Sequence, residues 1–346
     1  MNEFDWRRIG KQALGAILVT CLTLGLILAK TWRQPSRKVL TSFSWKHLGL
    51  AVCLLILSSL VDTVRVKVMA RAAGERVSFL VGLRTVLAGY FIAAVTPFVA
   101  GGAPVQAYSL YLGGIPLGKA TGIVLVSGFL AQWLLTIMAA VLVFGFGLQV
   151  GPTPILQGII KLGVLVYAVG WVVIFYLAWN LEKATPIVEW CFRLLVKARI
   201  VSESWVQGAV AKTTAFLAEV ARSFQGVFSG GFFCMLLGGL AYLVIFALNF
   251  TVAPVLMAGL GREVDYWLLM ALQVPVYLLV SVVPTPGGSG GLEAGLAMIM
   301  SHHLGGHELG LFVAGWRLLI LYFHLISGGL GLLAVFGPGR KKGGSS

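Results

Sequence analysis

Ala120–Gly147 contains no charged residue, and neither does Phe228–Leu260. Each run exceeds the ~20 residues with which an α-helix crosses the hydrocarbon core of a bilayer. Four more apolar runs follow the same pattern with few interruptions: Ala13–Ala29, His47–Met69, Ile155–Trp179 and Leu309–Phe336. A soluble domain carries about 25% charged residues. Here 11% of the 346 residues are charged and 58% are hydrophobic, too few charges to solvate the surface of a chain this size. The expected fold class is all-α integral membrane, with six full transmembrane helices.

Two further apolar segments are broken. Thr85–Ala100 is interrupted at Thr96-Pro97 and leads into Gly101-Gly102-Ala103-Pro104, a short apolar piece and Gly113-Gly114. Tyr266–Val283 contains Pro275 and ends in Pro284-Thr285-Pro286-Gly287-Gly288-Ser289-Gly290-Gly291, followed by a short helix and Gly305-Gly306. Proline removes a backbone donor and glycine admits left-handed backbone, so each segment reads as two half-helices around a break. Irregular backbone at membrane depth survives where it is buried in protein or lines a watery cavity. The two breaks therefore predict re-entrant hairpins near 85–112 and 266–304. They fall in corresponding places of two halves, 1–180 and 227–337, and such a pair is the best sequence pointer to a transporter's binding site.

The remaining charges set the orientation. Lys and Arg number 26 against 12 Asp and Glu, a net charge of +14. With no soluble domain to hold a duplex, nucleic acid is not an expected partner. The excess reads as juxtamembrane charge that orients spans and touches anionic lipid. Placing both termini in the cytoplasm puts the basic stretches at 65–84, 181–222 and 340–342 inside, although the basic loop 30–46 then lies outside. The first hairpin enters from the cytoplasm and the second from the opposite side, an inverted repeat. The stretch 181–226 reads as a cytoplasmic linker of amphipathic helices, and 338–346 as a basic tail with a possible cloning scar. The first apolar run reads as a retained span rather than a signal peptide. Cys21, Cys53, Cys191 and Cys234 lie far apart and read as small core residues. Oligomeric state has no sequence signal.

A charge inside a span costs at least ~2.5 kcal/mol on insertion scales, so each marks a candidate site. Glu293 follows the second break, Arg317 lies within the last span, and the two are expected to pair beside a cavity. Arg84 and Gln106 take corresponding places around the first break, and Arg84 reads alternatively as a side chain that snorkels to the cytoplasmic surface. Asp62 and Arg65, three residues apart on one helix, read as a local pair. Gln132, Gln273, Asn249 and His324 either line a path or bridge helices. His302, His303 and His307 lack a cysteine or a ligand spacing, so no metal is expected. Neither glycine run matches a nucleotide-binding loop, and no cofactor is indicated.

The stretch from Thr96 to Gln106 with Gly113-Gly114-Ile115, and that from Pro284 to Ala294 with Trp316-Arg317, resemble the signature of the lysylphosphatidylglycerol synthase transmembrane, or flippase-like, family. That family includes the flippase half of the multiple peptide resistance factor. The resemblance covers nearly the whole chain and implies a multi-pass plasma-membrane protein that moves lipid between leaflets. No synthase domain follows Phe336, so lipid synthesis is not implied. Where many relatives carry Arg and Glu after the first proline, this chain has Gly101-Gly102-Ala103-Pro104-Val105-Gln106, which leaves the headgroup open.

Together these readings predict a translocase, not an enzyme, for an anionic or aminoacylated phospholipid or an isoprenoid-phosphate lipid. The substrate contacts would come from Glu293, Arg317, Arg84, Gln106, Thr96, Pro97, Gly101, Gly102, Thr285, Pro286, Gly287, Gly288, Gly290 and Gly291. Exposed amides at the broken-helix N-termini are expected to take the phosphate. A membrane transferase acting on lipid-linked sugars and an ion-coupled transporter of small solutes stand as alternatives.

Overall fold

The computed structural model describes residues 43–97, 101–150, 153–179 and 231–336 apart from a few single positions, with scattered positions between 22 and 25 and between 186 and 218. The expected first span and most of the linker lie outside the described residues.

Among the described residues the chain is helical, and five helices are long and apolar enough to span a bilayer. In chain order the elements are α1 (Trp45–Ala72), α2 (Phe79–Val95), α3 (Gly102–Leu112), α4 (Leu117–Ala140), α5 (Pro154–Trp179), α6 (Phe232–Gly259), α7 (Tyr266–Val280), α8 (Gly291–Met300) and α9 (Gly306–Phe336). A π-helical turn, Val141–Gly145, extends α4. The long helices carry large apolar side chains outward, among them Leu57, Val166, Phe233 and Ile326, as a lipid-facing surface requires. Cys53 belongs to that outer surface and not to the core, and Cys234 is half-buried. An apolar run in lipid has two apolar sides, so composition alone does not separate them.

The second half repeats the order of the first, with α1, α2, α3 and α4 matched by α6, α7, α8 and α9. The matches extend to single residues. Ser78 caps α2 by accepting from Val81 N–H, and Asp265 caps α7 by accepting from Leu268 N–H at 3.0 Å. Glu75, just after α1, pairs with Lys119 at the start of α4 at 2.6 Å. Arg262, just after α6, pairs with Glu308 at the start of α9, the same latch with its signs reversed. The halves interlock: α1 packs on α6, α2 on α9 and α7 on α4.

Glycine sets the closest of these approaches. A Cβ at Gly328 of α9 would stand 2.7 Å from the Leu87 carbonyl and 2.8 Å from Phe91 N on α2. Gly328→Leu therefore forces α9 off α2, an overpacking that costs about 1–3 kcal/mol or more. The expected result is a lowered thermal midpoint and a loss of monodisperse protein in detergent. Gly170→Leu, where a Cβ would meet open space, serves as the matched control and should behave as wild type.

Candidate functional site

The two breaks are built differently and meet each other. At the first, Thr96 is extended (φ −111°, ψ 147°), as a residue before proline must be. Its hydroxyl donates to Ile92 O at 2.7 Å and accepts from Gly101 N–H at 3.0 Å, closing α2 and opening α3 with one side chain. A Cβ at Gly101 would come within 2.7 Å of the Thr96 and Ile92 methyls, so only glycine fits beneath it.

At the second break Gly287, Gly288 and Gly290 all have positive φ, at 57°, 67° and 88°. Thr285 Oγ1 donates to Ser289 O at 2.7 Å, and Gly288 N–H donates to Thr285 O at 3.1 Å. Pro286 forms an antiparallel bridge with Pro97, and Gly287 N–H points to Thr96 O at 3.4 Å. The tips of the two broken segments thus abut, backbone against backbone.

The expected pairing of Glu293 with Arg317 is present. Arg317 Nε lies 2.9 Å from Glu293 Oε1, with 3% and 0% of the two side chains exposed. Glu293 Oε2 also accepts from Gly290 N–H at 2.7 Å. Arg317 Nη2 donates to Gly287 O at 3.1 Å and to Ser289 Oγ at 2.7 Å. One arginine of α9 therefore clasps the whole glycine turn ahead of α8. The Glu293 carboxylate fills the place at the α8 N-terminus where an external anion was expected. In α3 the matching position is Pro104.

Behind the joined tips lies a cavity of about 500 Å³, within the range of small-molecule sites. Of the fourteen residues nominated from the sequence, Gly102, Gln106, Gly287 and Arg317 line it. Gln106 lies against Gly89, where a Cβ would be 2.4 Å from its Nε2. Glu293 stands behind Arg317. Arg84 is half-buried on α2 and does not reach the cavity, and the remaining nominated residues shape the breaks. Gln132, Asn249 and His324 also line the cavity. Gln273 does not; its amide donates to Phe250 O at 2.9 Å and bridges α7 to α6.

A second charged cluster lines the same cavity. Asp62 and Arg65 of α1 are a local pair at 2.5 Å, as their spacing predicts, but both are buried there. Tyr90 of α2 donates its hydroxyl to Asp62 Oδ2 at 2.7 Å. The Arg65 guanidinium covers the Tyr242 ring of α6 at 4.8 Å. Asn249 of α6 donates to Ser58 Oγ of α1 at 2.9 Å. The tyrosine partners carry no local sequence signal. His302, His303 and the side chain of His307 lie outside the described residues, and no cluster of three potential metal ligands occurs among the described ones.

Residues 13–328 match the family model described as the lysylphosphatidylglycerol synthase TM region. The chain belongs to this family. A UPF0104 membrane protein of Archaeoglobus fulgidus is 26% identical over 320 residues, covering 91% of this chain and 94% of that protein. The family match spans both breaks and every residue that lines the cavity.

Proposed function

We propose that the protein carries the headgroup of a membrane phospholipid across the bilayer through this cavity, while the acyl chains stay in lipid. The observation that carries the reading is a cavity of headgroup size, lined by both halves of the chain, whose mostly apolar wall is set with charged and amide side chains, Asp62, Arg65, Gln106, Gln132, Asn249 and Arg317. An isolated phosphate in hydrocarbon has no hydrogen-bond partners, and buried arginines, amides and hydroxyls supply them. The family's name, drawn from a synthase of an aminoacylated phospholipid, agrees with a lipid substrate. Apolar residues of the same wall, among them Leu55, Ile245, Phe246 and Ile320, favour an amphipathic lipid over a polar solute. We place the protein in the plasma membrane with both termini cytoplasmic and its basic loops against anionic lipid.

The test is reconstitution of the purified full chain in vesicles containing a phospholipid with a fluorescent headgroup. A membrane-impermeant quencher reports the outer-leaflet share. The expected result is protein-dependent quenching beyond that share. Quenching equal to that of protein-free vesicles, with uptake of a small solute in its place, would overturn the reading in favour of a solute transporter.

A further inference from the structure

Arg65 and Arg317 are equally buried, at 3% exposure each, but differently committed. Arg317 turns Nε and Nη2 into the second break, toward Glu293, Gly287 and Ser289. Arg65 makes one hydrogen bond, from Nε to Asp62, and stacks one face on Tyr242. Both of its Nη groups, four of its five N–H donors, have no hydrogen-bond partner among the described residues, and the residue lines the cavity. Asp62 and Tyr242 hold the fork still without filling it.

A second polar group of the cavity wall is also unsatisfied. Gln132 Oε1 is buried without a partner. Buried donors and acceptors in native proteins are paired with protein, water or ligand. A ligand that accepts at Arg65 and donates at Gln132 satisfies both. Charge narrows the class further. Two arginines in the wall face two carboxylates, Asp62 in the wall and Glu293 behind it, so the site is balanced before a ligand enters. Each additional uncompensated charge at membrane depth is costly. A phosphodiester brings one negative charge, whereas a phosphate monoester brings about −1.5 to −2.

We propose that Arg65 is the anchor for the phosphodiester of a lipid whose head alcohol carries a hydroxyl or ammonium donor for Gln132. The proposal rests on the reading that the cavity takes a lipid headgroup. It gives Arg317 a positioning role in the hairpin and the phosphate to Arg65.

The delipidated full chain in detergent is titrated with phosphatidylglycerol, phosphatidylethanolamine, phosphatidic acid and inorganic phosphate, and the rise in thermal midpoint gives each affinity. Phosphatidylglycerol and phosphatidylethanolamine are expected to bind at least about tenfold more tightly than phosphatidic acid, and inorganic phosphate not to bind. Arg65→Lys keeps the charge and the Asp62 pair but loses the fork, and is expected to lower phosphatidylglycerol affinity by about tenfold or more. Gln132→Leu is expected to narrow the gap between phosphatidylglycerol and phosphatidic acid. Wild-type affinity in Arg65→Lys overturns the proposal. So does equal binding of phosphatidic acid or inorganic phosphate. Lipid binding with the stated preferences but without movement in vesicles refutes translocation and leaves the anchor standing. Movement with unchanged affinity in Arg65→Lys refutes the anchor alone.

Discussion

Arg317→Met is expected to destabilise the protein by about 3–5 kcal/mol, because it strands the fully buried Glu293 carboxylate without its counter-charge. It also removes the donors to Gly287 O and Ser289 Oγ, so the damage centres on the second break. Glu293→Gln strands the arginine instead and is expected to be destabilising for the same reason. The double variant Glu293→Gln/Arg317→Met removes both charges and keeps an amide that can still accept from Gly290 N–H. It is expected to recover a large part of the loss, since buried ion pairs are often replaceable by neutral groups of similar volume. Thermal unfolding of the two single variants and the double variant in one detergent gives the coupling. Additive losses with no recovery would mean that the two charges do not stabilise one another.

Gly287→Ala is expected to damage lipid movement more than any other single-methyl change. At φ 57° an L-residue pays roughly 1–2 kcal/mol for its left-handed backbone. The new Cβ would also lie 2.7 Å from Ala94 O, which is rigid helix backbone of α2. The two breaks must separate, and with them the wall between the halves. The control is Gly261→Ala, which has φ 70° but open space around a Cβ. It carries the backbone strain without the clash. Both variants are expected to lose a similar increment from strain, while only Gly287→Ala loses translocation by about tenfold or more, equivalent to at least ~1.4 kcal/mol. Equal transport in the two variants would show that the Pro97–Pro286 joint has no part in function.

The positions of both breaks were readable because proline and glycine state their backbone requirements locally. The Glu293–Arg317 pair was readable because a charge at membrane depth demands a partner, and few opposite charges are available. The cavity membership of Arg65 was not. Its charge is satisfied three residues away by Asp62, so the sequence offers a complete local account. Tyr90 and Tyr242 join that pair only through the packing of α2 and α6 on α1. The self-capping of α8 has a local signal, a carboxylate three residues after the Gly290 cap position, which is the spacing of half a capping box. The latches Glu75–Lys119 and Arg262–Glu308 join loops to helices 44 and 46 residues on. Such distances lie beyond any local pattern.

The central claim, that lipid headgroups pass through the cavity, is tested most directly by closing it. Gly128 lines the cavity and Gly158 lies on the exposed surface of α5, and a Cβ meets nothing within 4 Å at either. In a chain whose Cys21, Cys53, Cys191 and Cys234 are replaced, Gly128→Cys and Gly158→Cys are reconstituted in vesicles and labelled with a bulky thiol reagent. Labelling at position 128 should stop protein-dependent movement of the headgroup-labelled phospholipid, and labelling at 158 should leave it unchanged. Undiminished movement in a fully labelled Gly128→Cys protein would contradict the account.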